Sequence, residues 1–410
     1  MKRMIYFLIF CILIALVILI LLLIKKDKKT EDKNIYMEDL KNYTLEQVEE
    51  YCNKYGLILN IEEDYDDNVA KDKVIEQSIL PNTIINKDDN LNIKISKGID
   101  YNKYSVDELG HVPIMMYHQI KDMKNEETKY TGGNVDYDGY TRTSEAFRND
   151  LEFYYNNGYR MIRLIDYVNG KIDVKLGYSP IILTFDDGLN EVKILGLDEN
   201  DNLIIDPNCA LGILEEYKKK YPDFNVTATF FLNSTLFYSQ TYNEKIIKFM
   251  IDNGYDIGNH TLTHPNFNKI STDETQKEVG KMYQMLEEII PNKYVNIIAL
   301  PFGNPNKDNE NFKYILNGTY NNKEYNTIST LRVAWEADYS PFSKSFDKTY
   351  LKRIRAYDNN GKDFDIEYSF KKLEKTRYIS DGDINTIVIK KDDEKYLNPT
   401  LSAITYWKKY

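Results

Sequence analysis

Eight residues near the middle of the chain, Ile181-Ile182-Leu183-Thr184-Phe185-Asp186-Asp187-Gly188, limit the fold more than any other stretch. A short apolar run ends on two adjacent acids and a glycine. It reads as a buried strand delivering two carboxylates to the mouth of a sheet, with Gly188 letting the chain turn. Adjacent carboxylates repel, so two at one strand end call for a cation or a proton-transfer role. Their partner lies downstream in Asn259-His260-Thr261-Leu262-Thr263-His264-Pro265. The chain has four histidines, and two of them sit here, four residues apart. In a helical or tightly turned segment both rings reach one side. Two imidazoles and one carboxylate suit a divalent metal that keeps an open position. Either half alone has a plainer reading, a turn or an isolated histidine pair. Both together, in this order and each after an apolar strand-like run, favour the metal.

Thr184-Phe185-Asp186-Asp187-Gly188 followed by His260-Thr261-Leu262-Thr263-His264-Pro265 resembles the polysaccharide deacetylase family, the NodB homology domain or carbohydrate esterase family four. Val112-Pro113-Ile114-Met115-Met116-Tyr117-His118 is similar to the opening strand of one branch of that family. Ala228-Thr229-Phe230-Phe231-Leu232 resembles its second strand, and Ala299-Leu300-Pro301-Phe302-Gly303 its third motif. The likeness is good over residues 110–317 and weak beyond.

The resemblance implies hydrolysis of an N-acetyl group on an amino sugar of a polymer. Asp187, His260 and His264 would hold the metal, most simply Zn²⁺, with Co²⁺ or Ni²⁺ as alternatives. A bound Zn²⁺ lowers the pKa of its water to about 7 and polarises a carbonyl. Asp186 would be the general base. The Phe302 backbone N–H would help bind the oxyanion, and Pro301 of the same motif would contact substrate. Two positions depart from the family pattern. The third motif usually opens on an arginine that orients the base, and here that residue is Ala299. The family commonly carries a late histidine as general acid, and no histidine follows His264. The acid then falls to His118, at the expected end of the first barrel strand, ahead of His111. Asp381 or Asp383 could instead approach from a last strand. Trp335 and Asp338 are expected along the cleft.

Residues 5–24 are continuously apolar, long enough to span a bilayer at about 1.5 Å per residue. Lys2 and Arg3 precede the run, and Lys25, Lys26, Lys28 and Lys29 follow it. The length of the run and the lack of small residues at a cleavage site favour an uncleaved anchor after residues 1–4, with residues 25–36 a tether. Basic residues on both flanks leave the orientation open. Cys11, Cys52 and Cys209 are too few for a disulfide framework or a cysteine metal cluster. The formal net charge of -11 argues against nucleic acid as a partner.

Residues 37–98 read as a small α+β unit. Thr44 caps a helix through Tyr55 with Leu45, Val48, Tyr51 and Cys52 on one face, and Gly56 ends it. Strands follow at 57–61, 74–78 and 91–96. Thr44-Leu45-Glu46-Gln47-Val48, Gly56-Leu57, Val74-Ile75-Glu76-Gln77-Ser78 with Pro81, and Ser96-Lys97-Gly98 resemble a PASTA repeat. That family is extracellular and often accompanies peptidoglycan, which implies a plasma-membrane protein whose C-terminal part lies outside.

Residues 110–395 read as the catalytic domain. Strands are expected at 113–117, 161–164, 181–185, 226–232 and 295–300. Helices are expected around Phe147, Leu151 and Tyr154, at 244–253, and from the Ser271–Glu274 capping box to Ile290, with Val279, Met282, Tyr283 and Leu286 facing in. Residues 190–208 suggest a surface hairpin. A loop at 130–140 carries Tyr130, Tyr137 and Tyr140, which either stack on sugars or fold the loop down. The βα alternation predicts an α/β fold with a parallel, barrel-like sheet, and the resemblance sharpens it to an irregular (β/α) barrel of about seven strands with active residues at their C-terminal ends. The leading expectation is a membrane-anchored, metal-dependent deacetylase of peptidoglycan or a poly-N-acetylglucosamine-type glycan. The alternative is a wall-binding scaffold whose barrel no longer turns over, prompted by the missing late histidine.

Overall fold

The computed structural model describes residues 2–26, 34–189, 191–239, 241–402 and 407–410. The chain divides into two compact units between Asp100 and Tyr101. In the first, a helix runs over Lys2–Lys26, and its stretch Lys2–Leu21 is long and apolar enough to cross a membrane. Of the expected tether, residues 27–33 lie outside the described residues.

The rest of that unit follows its local signals. Thr44 accepts a hydrogen bond from Gln47 N, and the Gln47 side chain returns one from Thr44 N, so both ends of a capping box are made. The helix Leu45–Tyr55 buries Val48, Tyr51 and Cys52, and Gly56 closes it in the left-handed conformation that glycine adopts without penalty. Ile58–Asp64 and Val74–Gln77 flank the central strand Asn90–Ser96, parallel and antiparallel to it respectively. Leu91, Ile93 and Ile95 alternate inward along the central strand and meet the helix face.

The second unit is built on seven parallel strands: β1 Ile114–Tyr117, β2 Ser179–Phe185, β3 Thr229–Leu232, β4 Asp256–Asn259, β5 Ile297–Ala299, β6 Ser329–Val333 and β7 Leu351–Arg355. They pair in chain order, and β7 returns to β1, which pairs with β2. The sheet therefore closes and leaves no edge. Helices Ser144–Asn156, Ala210–Lys220, Asn243–Asp252 and Thr272–Ile289 lie between the strands in sequence. The last opens on a capping box between Ser271 and Glu274 and buries Val279, Met282, Tyr283 and Leu286. Ile194–Leu197 and Leu203–Ile205 form the hairpin expected within residues 190–208.

Some expectations shift. The strand placed at 161–164 is Tyr159–Met161, outside the ring and paired with the start of β2, and Leu164 begins a short helix Leu164–Val168. Strands β4, β6 and β7 were not foreseen. Residues 379–383 form no strand: Ile379 makes a single bridge to Asp107. Cys52 and Cys209 are free, buried and in separate units.

Candidate active site

A parallel barrel brings the C-terminal ends of all its strands to one mouth. His118 follows β1, Asp186 and Asp187 follow β2, His260 follows β4, Pro301 and Phe302 come just after β5, and Arg353 and Arg355 lie on β7. A cavity of about 280 Å³ opens there, lined by His118, Asp186, Asp187, His260, His264 and Phe302 among others.

Sharp local turns place these groups. Asp187 has φ 84, and Gly188 after it has φ 65. A Cβ on Gly188 would come within 3.0 Å of Leu232 Cδ2, so the turn needs glycine for its angle and its space. Between the two histidines the chain is a tight turn with Thr261 at φ 67 and His264 at φ 58, not a helix. The turn still puts both rings on one side, with centroids 4.8 Å apart. Left-handed backbone at a β-branched residue is strained and persists where surrounding structure enforces it.

Asp187, His260 and His264 converge, with Asp187 Oδ1 lying 3.1 Å from His260 Nε2 and 3.4 Å from His264 Nε2. His260 Nδ1 is 2.8 Å from the Ala299 carbonyl, an acceptor, so Nδ1 carries the proton and Nε2 presents a lone pair. That Nε2 is sealed from solvent without an aligned hydrogen bond. A lone pair facing a carboxylate at this distance is repulsive unless a proton or a metal ion lies between them; burial disfavours charge on the His260 ring, but Asp187 and Asp186 outweigh it and favour a positive group at Nε2. The donor set and the orphaned nitrogen fit a divalent metal.

Asp186 is held apart from that trio. Arg353, fully buried, donates from both Nη atoms to its two oxygens at 2.7 Å each, and Nη1 also reaches Thr184 Oγ1 at 3.2 Å. Burial alone would raise the Asp186 pKa, but Arg353 and then His260 outweigh it and hold the carboxylate below its ordinary range. The bidentate fork fixes orientation as well as charge. Sequence reading found no partner for Asp186, because it looked for the arginine at the position of Ala299. The missed signal was Leu351-Lys352-Arg353-Ile354-Arg355, where alternation puts Arg353 and Arg355 on one face.

His118 lines the cavity, with its ring edge-on to Tyr140 at 4.7 Å between centroids. Burial lowers its pKa, partly offset by Asp186 and Asp187. Tyr140, from the tyrosine loop, also lines the cavity, and Tyr137 is exposed. That loop is pinned from beneath: buried Arg142 bridges Asp150 at 2.8 Å and Asp358 at 3.0 Å, and Asp358 accepts from Gly133 N. Phe302 is 64% exposed, has φ 58 and packs on the His264 ring, and its N–H finds no acceptor among the described residues.

The other expected residues fall elsewhere. Pro301 is buried behind Phe302, and neither Pro301 nor Trp335 lines this cavity. Trp335 and His111 line a second cavity of about 380 Å³. Asp338 is buried in a two-residue strand, where it accepts from Lys352 N. Asp381 and Asp383 also stay out of the mouth; Asp381 is engaged by Thr386 beside Glu108.

Residues 173–316 match the family described as polysaccharide deacetylase, and residues 35–97 match the PASTA domain. A chitooligosaccharide deacetylase of Bradyrhizobium is 26% identical over 127 residues, 31% of this chain and 48% of the relative. A peptidoglycan-N-acetylglucosamine deacetylase of Bacillus cereus is 32% identical over 114 residues, 27% of this chain and 32% of the relative. The chain thus spans about half the length, or less, of these two relatives. A Streptococcus pyogenes deacetylase solved in complex with acetate aligns at 20% identity with a TM-score of 0.43, covering 61% of this chain and 94% of that one. The chain thus carries a polysaccharide deacetylase domain over residues 173–316 and a PASTA domain over residues 35–97.

Proposed function

We propose that the protein is a membrane-anchored, metal-dependent N-deacetylase of a cell-surface glycan, peptidoglycan or a poly-N-acetylglucosamine-type polymer. The observation that carries this reading is the division of labour at the mouth. One carboxylate, Asp187, faces two imidazoles, and its neighbour Asp186 is turned away from them by Arg353.

Asp187, His260 and His264 would hold the metal, with Zn²⁺ the simplest choice and Co²⁺ or Ni²⁺ as substitutes. Such an ion, when bound, makes water a better nucleophile and polarises the acetamide carbonyl. Asp186 takes a proton from the attacking water; its pairing with Arg353 lowers its basicity but keeps it charged and aimed. The Phe302 N–H donates to the oxygen that gains charge. His118 supplies the proton to the departing amine; burial lowers its pKa, and Asp186 and Asp187 offset part of that loss. Exposed Phe302 and Tyr140 flank the reacting sugar, and Trp335, beyond Tyr140, contacts the chain further out.

The apolar helix Lys2–Lys26 would anchor the protein, and the PASTA domain supports a catalytic unit on the outer side of the membrane. The test is acetate release by the full-length chain from N-acetylglucosamine oligomers and purified peptidoglycan, after chelation and return of Zn²⁺ or Co²⁺. Metal-dependent release from either is expected. Stoichiometric metal with no release from both would favour a glycan-binding scaffold instead.

A further inference from the structure

Four arginines are buried among the described residues. Arg142, Arg160 and Arg353 each hold a carboxylate, those of Asp150, Asp223 and Asp186. Arg355 holds none. It is 8% exposed, its Nε is sealed without an acceptor, and its guanidinium has no hydrogen bond among the described residues. Three rings surround it instead, with centroids 4.2 Å away for Trp335, 4.7 Å for Tyr357 and 4.8 Å for Tyr140. Ring faces attract the cation but accept none of its five N–H donors with carboxylate strength. With Nε sealed and the two Nη atoms reached by solvent, the guanidinium keeps donors open to a partner that arrives from outside.

The position indicates which partner. Arg355 ends β7 and pairs in register with Met116, which lines the mouth cavity. Tyr140, over one side of the guanidinium, lines the same cavity; Trp335, over another, lines the second. Arg355 is thus the polar heart of the wall between the two. Trp335 and Phe364 face each other across 4.6 Å, at φ 60 and φ 68. Two aromatic residues in left-handed backbone are costly, and such strain gathers where ligands are gripped. The second cavity also brings Lys352, Lys372 and His111 against a single acid, Glu336, which Lys352 already engages at 2.8 Å.

We propose that Arg355 binds a carboxylate on the sugar next to the one whose N-acetyl group enters the mouth cavity, so that the preferred substrate is an acidic N-acetylated glycan. The proposal rests on the deacetylase reading above and selects within its substrates. A sugar leaving the cavity stacks on Tyr140 and Trp335, and Tyr140, 42% exposed, shifts to let a carboxylate reach the fork. A lactyl ether substituent or a stem peptide supplies that carboxylate equally well, whereas a plain N-acetylglucosamine polymer has none.

The test is direct binding to the full-length chain, measured by titration, of four ligands. They are peptide-free muramic-type glycan strands, the same strands with carboxylates amidated, peptide-bearing strands, and a neutral N-acetylglucosamine oligomer. The parent protein should bind peptide-free strands about tenfold or more tighter than amidated ones, the range of a charge-assisted pair. Equal preference for peptide-bearing strands would assign the carboxylate to the peptide as well as to the lactyl group. Arg355→Gln should erase the preference and leave the neutral oligomer within about twofold. The proposal is overturned if the parent binds free and amidated strands alike, or if Arg355→Gln weakens all ligands equally. Should that variant fail to fold, the parent's comparison of free with amidated strands decides alone. Acetate release is read separately: discrimination without release would sink the deacetylase reading and keep this one, and release without discrimination the reverse.

Discussion

The PASTA domain and the barrel mouth treat backbone strain and polar burial in opposite ways. In the domain, the non-glycine residues with left-handed backbone are Asn42, Asp72, Asn82 and Asp88, types that tolerate it. Its buried and half-buried polar groups are paired: the Gln77 amide makes bonds to Leu40 N, Glu38 O and Ile79 O, and Ser96 Oγ bridges Val69 O and Gly98 N. At the mouth the non-glycine left-handed residues are Asp187, Thr261, His264 and Phe302, and of these β-branched Thr261 and bulky Phe302 are types that resist it. His260 Nε2, Arg353 Nε and Arg355 Nε are buried there without hydrogen-bond partners. A fold that settles its local preferences in one place and leaves them open in another marks the second as built for something it does not itself contain.

Removing a ligand atom should break that contrast most severely. His260→Ala takes away the orphaned Nε2, and bound metal should fall from about one per chain to almost none. Acetate release should drop by ~10³-fold or more, several kcal/mol of transition-state stabilisation. Metal analysis beside the acetate assay checks it; full metal content in the variant would show that the trio is not the site. Arg353→Met comes next. It strands Asp186 as an unpaired buried charge, so the barrel should lose about 3–5 kcal/mol. If it folds, kcat should fall by ~10²-fold through misplacement of the base, with metal still bound. Unchanged kcat would mean that the fork serves stability alone.

Sequence legibility followed the same divide. Apolar β2 with its two acids, the histidine pair, the Thr44 cap and the Ser271–Glu274 capping box were readable because each is a local pattern of residues that touch. The mouth's second half was not. β7 reads Leu-Lys-Arg-Ile-Arg, which no apolar-run criterion accepts as a barrel strand, yet Arg353 is tolerated because Asp186 meets it across the barrel. β4, Asp256–Asn259, hides in the same way, since its Asp256 is buried only because Arg163, from the segment after Tyr159–Met161, pairs with it. Charges that cancel in space look like loop residues in sequence. For the same reason the arginine that orients Asp186 was sought in the third motif, when a different strand supplies it.

A smaller effect sharpens the contrast within the barrel unit, away from its mouth. Glu108 is buried, accepts from Tyr378 Oη, Asp381 N and Val388 N, and is pushed up to about 8 by burial and then by Asp381. In the unfolded chain its value returns to about 4.5. The folded state therefore holds this proton more tightly, and the contribution of Glu108 to stability is greatest below pH 4.5, declines as pH rises towards 8, and levels off above. The decline should be on the order of 5 kcal/mol at most. Both tryptophans, Trp335 and Trp407, lie in this unit, so their fluorescence reports its unfolding alone. Melting curves between pH 5 and 8 should be flatter for Glu108→Gln than for the parent, and parallel curves would place the titration elsewhere.

The smallest expected effect lies in the PASTA domain, where satisfied local structure predicts local consequences. Thr44→Ala removes the hydroxyl that accepts from Gln47 N at 3.2 Å and should cost about 1 kcal/mol. Faster amide exchange should be confined to the helix Leu45–Tyr55 and the strands it packs on, and acetate release from a short soluble oligomer should match the parent. The bond removed belongs to the domain's own capping box, so the expected consequence is local. A drop in turnover of that oligomer, with exchange at the barrel unchanged, would mean that the domain takes part in holding the glycan, and the division between a self-satisfied domain and an expectant mouth would have to be redrawn.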